Sequence, residues 1–84
     1  MAKTGAILEK VITGQGRIKF RDIQKLLLEL GFYLDRIRGS HHIYIHPKAT
    51  RPLNIQPVGN EAKPYQVRQL RDMIVEFSLK LENE

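Results

Sequence analysis

The chain has no cysteine, which excludes disulfides, thiolate catalysis and zinc sites built on sulfur. Its apolar runs stay as short as Leu26-Leu27-Leu28, far below the roughly 20 residues of a membrane-spanning helix. Met1-Ala2-Lys3-Thr4 does not lead into the apolar core of a secretory signal, so a cytoplasmic location is expected. Catalytic signatures are equally scarce. Ser40 stands beside His41, but no Gly-x-Ser-x-Gly elbow or oxyanion loop accompanies it. There is no Walker loop and no pair of carboxylates among the polar strand residues, and Gly14-Gln15-Gly16 is too short for a dinucleotide fingerprint.

What is present is one small domain of 84 residues, 42% hydrophobic and 27% charged, a composition that folds. The net charge of +5 is unevenly distributed. Residues 1–60 carry 10 Lys/Arg against 4 Asp/Glu, whereas residues 61–84 carry 4 against 5. A basic body with a near-neutral end suits a polyanionic partner on one side. The plain alternative is a basic surface that serves solubility alone.

Residues 5–12 read as a short helix stopped by the glycines around Gln15. Residues 1–18 are therefore expected to be a helical appendage packed on a domain of residues 19–84. Phe20, Ile23, Leu26, Leu27 and Leu30 share one helical face, opposite Arg21, Gln24, Lys25 and Glu29. Asp22 suits the first turn. Gly31 and Phe32 are placed to close the helix, which is predicted over residues 21–30.

The period then falls to 2. Leu34 to Arg38 alternates, Gly39-Ser40 turns, and His41, Ile43 and Ile45 alternate with His42, Tyr44 and His46. Pro47 ends that strand, and Leu53-Asn54-Ile55-Gln56 reads as a third with Leu53 and Ile55 inward. Pro57-Val58-Gly59-Asn60 breaks the sheet. Pro64 suits the first position of a last helix, with a stripe of Val67, Leu70, Ile74, Phe77 and Leu81. The expected fold class is α+β: two helices on one face of a three-stranded antiparallel meander, plus the short N-terminal helix. The other sheet face is left open, and function is expected there. With Ile43 and Ile45 assigned inward, His42, Tyr44 and His46 are expected on that open face.

Three histidines in six residues raise metal binding, but no metal or other cofactor is expected. His41 and His42 point to opposite faces, and His42 and His46 stand about 13 Å apart along a strand. Zinc–nitrogen bonds measure only about 2.0–2.1 Å. The residues do permit proton transfer: histidine titrates near neutral pH, and RNA brings its own nucleophile, the 2′-hydroxyl. Arg36, Arg38, Lys48 and Arg51 surround the histidines with positive charge for a phosphate transition state, and Lys63 at the last helix's entry reads functionally as a phosphate clamp. The plain alternative makes His41 a half-buried histidine bonded to backbone, and makes His42, His46, Arg36, Arg38 and Lys63 solvated surface groups.

Gly39-Ser40-His41-His42-Ile43-Tyr44-Ile45-His46-Pro47 resembles the HicA toxin family of toxin–antitoxin systems. The resemblance extends to Phe20-Arg21-Asp22-Ile23, Leu27 to Phe32, Leu53 to Pro57 and Lys63 to Arg68, covering residues 19–77. It implies an αβββα fold like the double-stranded RNA-binding domain and an mRNA endonuclease whose catalytic histidine is His41. It further implies that Gly39 gives close approach and Ser40 a phosphate contact. The implied partners are mRNA and a HicB-type antitoxin over the active face, the toxin being a monomer alone and a hetero-oligomer with the antitoxin. Strand alternation instead favours His42, and a bulge at Gly39-Ser40 would reverse that argument. Both histidines stay candidates. A non-catalytic RNA-binding module and a protein-interaction domain are the competing functions. The chain departs from the family pattern after the third strand, where many members carry a further histidine and this one reads Gln56-Pro57-Val58-Gly59.

Overall fold

The computed structural model describes residues 3–14 and 16–82. The two ends of the expected appendage and domain, Met1-Ala2 and Asn83-Glu84, and Gln15 of the glycine loop lie outside the described residues. The first helix, α1 (Thr4–Thr13), ends at Gly14, whose φ of 70° lets its N–H reach the carbonyls of Lys10 and Val11. Ile7 and Val11 are buried in the same core as the helices that follow. Thr4 also donates its hydroxyl to the Glu29 carboxylate, 2.8 Å away, which ties the start of α1 to the end of the next helix.

That helix, α2 (Phe20–Glu29), is amphipathic as its spacing predicts, with Ile23, Leu26 and Leu27 buried. It closes through Gly31 (φ 99°) and Phe32, whose N–H donates to the Leu27 carbonyl at 2.9 Å. This is the Schellman arrangement expected of Gly-Phe at a helix end. A side chain at position 31 has no room: a Cβ there stands 2.9 Å from His46 Nε2.

Strands β1 (Tyr33–Arg38), β2 (His41–Ile45) and β3 (Leu53–Ile55) form an antiparallel sheet in the order β1-β2-β3. Gly39, with φ 58°, and Ser40 make the two-residue connection between β1 and β2. A glycine of positive φ in the first central position is the pattern of a type II′ hairpin turn. Pro57-Val58 does end the β3 ladder, but the segment forms a hairpin of its own, β4 (Pro57–Val58) against β5 (Glu61–Ala62). Ile18 and Phe20 bond this hairpin through Ala62 N–H and the Asn60 carbonyl. The last helix, α3 (Pro64–Glu76), packs with α2 over one sheet face, burying Tyr44, Leu53 and Ile55. The chain is thus an α+β fold of the double-stranded RNA-binding-domain type, αβββα, with α1 added in front.

Two expectations are corrected. Tyr44 and His46 are 3% and 7% exposed, so the His42 face of β2 is the one the helices cover. His41, Ile43 and Ile45 lie on the open face instead. His46 is buried because its polar atoms are matched: Nε2–H donates to the Leu30 carbonyl at 2.8 Å and Nδ1 accepts the Lys48 N–H at 3.0 Å. An otherwise orphaned carbonyl at the end of α2 is satisfied in this way. Secondly, the apolar stripe does not run in helix to Leu81. Phe77 caps α3, Ser78 turns with a positive φ of 53°, and Leu79 folds back into the core.

Ser78 therefore occupies a position where side-chain-bearing residues are strained. Ser78→Gly is expected to stabilise the protein by about 0.5–1 kcal/mol after the greater flexibility of the unfolded chain is allowed for. A thermal melt should rise by a few degrees; an unchanged or lower midpoint would show the turn is unstrained.

Candidate active site

The β-hairpin of β1 and β2 sets the site. A bulge at Asp35 shifts the register between Leu34 and Arg36, so Arg36 pairs with Ile43 and Arg38 with His41. Leu34 shares a sheet face with its partner Tyr44 but stays exposed at the edge of the sheet. After the extra residue, Arg36 and Arg38 emerge on the open face beside His41. The bulge thus lies in β1, while the Gly39-Ser40 turn is regular.

His41 is exposed at the head of β2. Asn54 of β3 places Nδ2 2.9 Å from His41 Nδ1. Gln56, just past β3, places Nε2 3.2 Å from His41 Nε2 and 3.3 Å from Ser40 Oγ. The imidazole is gripped at both nitrogens by uncharged amides. Behind Gln56 stand Lys63, whose ammonium lies 3.4 Å from Gln56 Oε1, and the buried Gln66 of α3. Lys63 also donates its backbone N–H to the Gln56 carbonyl, which joins the start of α3 to the end of β3.

His42 points the other way. Its Nδ1–H donates to the Ser40 carbonyl at 3.1 Å, and its ring meets Phe20 edge to face at 4.9 Å. It packs the hairpin onto the start of α2. Tyr44 is under the helices with its hydroxyl 3.3 Å from Gln24 Nε2, and His46 is tied to backbone as described. Neither presents itself on the open face.

The cations divide into two groups. Arg36, Arg38 and Lys63 surround the Gly39–His41 end, with Arg36 paired to Asp35. Lys48 and Arg51 lie beyond the opposite end of β2, whose length alone is about 13 Å. Arg51 donates to Glu76 at 2.8 Å and covers the Phe77 ring at 5.4 Å. That hydrogen bond raises the Arg51 pKa and holds the Glu76 carboxyl below its usual range.

Asn54, Gln56 and Gln66 were not singled out from the sequence. The signal was present in part. Leu53 and Ile55 inward leave Asn54 outward on His41's face, and Gln66 sits four residues before Leu70 on the buried side of α3. A polar residue there needs a polar partner.

Fold and site together define a small αβββα domain with one histidine displayed on its open sheet face between basic side chains. The family model described as HicA toxin of bacterial toxin-antitoxin matches residues 20–75. The chain belongs to the HicA toxin family and is a toxin of a toxin–antitoxin system. Helix α1 lies outside the matched segment. No curated protein and no solved structure matched the chain. Among the described residues, no helix is long and apolar enough to cross a membrane.

Proposed function

We propose that this toxin is an endoribonuclease of mRNA that works by histidine acid/base chemistry without a metal ion. The observation that carries the reading is the placement of His41. It stands exposed on the open face, held by Asn54 and Gln56, beside Arg38 and the Gly39-Ser40 turn. His42 is turned into the packing against Phe20, so the catalytic role goes to His41.

The His41 ring takes the proton of a ribose 2′-hydroxyl. The O2′–phosphorus bond forms as the phosphorus–O5′ bond breaks, and the leaving oxygen takes a proton from water. All three histidines of the chain are accounted for, and His41 alone reaches the open face, so no second imidazole serves as the acid there. Arg36, Arg38 and Lys63 offset the charge that develops on the phosphate oxygens. Gly39, lacking a side chain, permits close approach, and Ser40 offers a hydroxyl to a phosphate oxygen. Lys48 and Arg51 extend the basic surface away from the scissile bond. Messenger RNA places the toxin in the cytoplasm, and a HicB-type antitoxin neutralises it by covering the same face.

The products should carry a 2′,3′-cyclic phosphate and a 5′-hydroxyl. Purified toxin is expected to cleave end-labelled RNA in the presence of chelator, and to leave a 2′-deoxy linkage at the cleavage site intact. Cleavage that needs an added divalent ion, or that cuts the deoxy linkage, would refute the mechanism. RNA that is bound with a salt-dependent affinity yet never cut would assign a non-catalytic binding module instead.

A further inference from the structure

Gln66 is 1% exposed on the apolar side of α3, and both ends of its amide are committed. Its Oε1 accepts the backbone N–H of Gln56 at 2.6 Å. A backbone N–H only donates, so the Gln66 amide has one orientation, with Nε2 facing Gln56 Oε1 at 3.0 Å. Gln56 is thereby fixed as well. Its Oε1 receives Gln66 and Lys63, and its Nε2 is turned outward to His41 Nε2. An amide nitrogen also only donates, so His41 Nε2 must accept. A neutral imidazole carries one proton, and the partner of one nitrogen decides which.

We propose that Gln66 and Gln56 are positioning residues that hold neutral His41 as the Nδ1–H tautomer, leaving the Nε2 lone pair as the base. Asn54 supports this from the other side. Its Oδ1 is the one buried side-chain polar atom without a partner among the described residues, while Nδ2 stands 2.9 Å from His41 Nδ1. With its amide turned end for end, Asn54 Oδ1 accepts the Nδ1 proton and so gains the partner it lacks, while Nδ2 takes the buried position. The entering 2′-hydroxyl replaces Gln56 as the donor to Nε2 and passes its proton along that bond. The chain of fixed orientations starts at a backbone amide and ends at the reacting nitrogen.

This inference rests on His41 being the base, but its direct readout needs no RNA. Long-range proton–nitrogen correlation on protein labelled with nitrogen-15 histidine reads the tautomer directly, at a pH where the rings are neutral. His46 is the internal standard, because its bonds to Leu30 and Lys48 make it the Nε2–H form. Wild type should show His41 as Nδ1–H and His46 as Nε2–H. Gln56→Glu presents an acceptor to His41 Nε2 and should move its proton to that nitrogen, with His46 unchanged. Gln66→Leu should leave His41 a mixture of tautomers. It should also lower the cleavage rate constant at least about tenfold, as loss of a tautomer-fixing partner does, with the RNA dissociation constant unchanged. A wild-type His41 in the Nε2–H form, or one indifferent to Gln56→Glu, overturns the proposal. Full cleavage by His41→Ala would instead overturn the assignment of His41 as the base and leave the tautomer result standing.

Discussion

His41→Ala is expected to lower RNA cleavage by at least about 100-fold, the usual contribution of a positioned acid/base group. His42→Ala should retain cleavage within a few-fold of wild type. The contrast follows from where the rings stand. His41 is exposed between two side-chain amides on the open face, whereas His42 meets Phe20 edge to face and donates to the Ser40 carbonyl. Removing His42 costs packing and one hydrogen bond, about 1–2 kcal/mol of stability, and should show in the melt rather than in the rate. Single-turnover cleavage beside thermal unfolding separates the two. If His42→Ala is the inactive variant and His41→Ala cleaves normally, the assignment of the base is wrong. The same pair should divide in cells, where only His41→Ala permits growth without antitoxin.

Removing residues 1–18 should unfold the protein, although the family match begins only at residue 20. The deletion takes away Ile7, Val11 and Ile18, which are 2%, 1% and 5% exposed in the core shared with α2 and α3. Truncating one buried isoleucine to alanine costs about 2–5 kcal/mol. A domain of this size has roughly 4–13 kcal/mol in all, so losing three such side chains leaves little or nothing. We therefore treat α1 as part of the folding unit, and propose that the 19–84 segment is not an independent domain. Ile7→Ala with Val11→Ala tests the same point without shortening the chain, and denaturant unfolding reads it. A 19–84 fragment with a cooperative melt near that of the whole chain would show α1 to be an accessory.

The helices were legible because their signals are local. The stripe from Phe20 to Leu30 and the closing Gly31-Phe32 pair require only neighbours within two turns. Gly39-Ser40 was equally readable as a turn. The faces of β2 were not. Alternation separates His41, Ile43 and Ile45 from His42, Tyr44 and His46, but it does not say which set is covered. Two isoleucines are the natural choice for a core, and here they lie half-buried on the open face. Tyr44 and His46 win the interior because Gln24, the Leu30 carbonyl and the Lys48 N–H match their polar atoms. Those partners lie up to 20 residues away, beyond the reach of any periodicity. The grip on His41 was hidden for the same reason, since Asn54, Gln56 and Gln66 come together only when β3 and α3 are in place.

That assembly has a consequence for a cell that makes such a protein. The hairpin bearing His41 leaves the ribosome well before the residues that orient it, and the last of them, Gln66, stands 25 positions later on a helix that must first dock. Until it docks, the ring is free to turn and its proton has no fixed home. On the proposed mechanism, a nascent chain whose α3 has not yet docked carries no oriented base. On that mechanism any cutting waits for α3 to dock, the step that also completes the surface an antitoxin would meet.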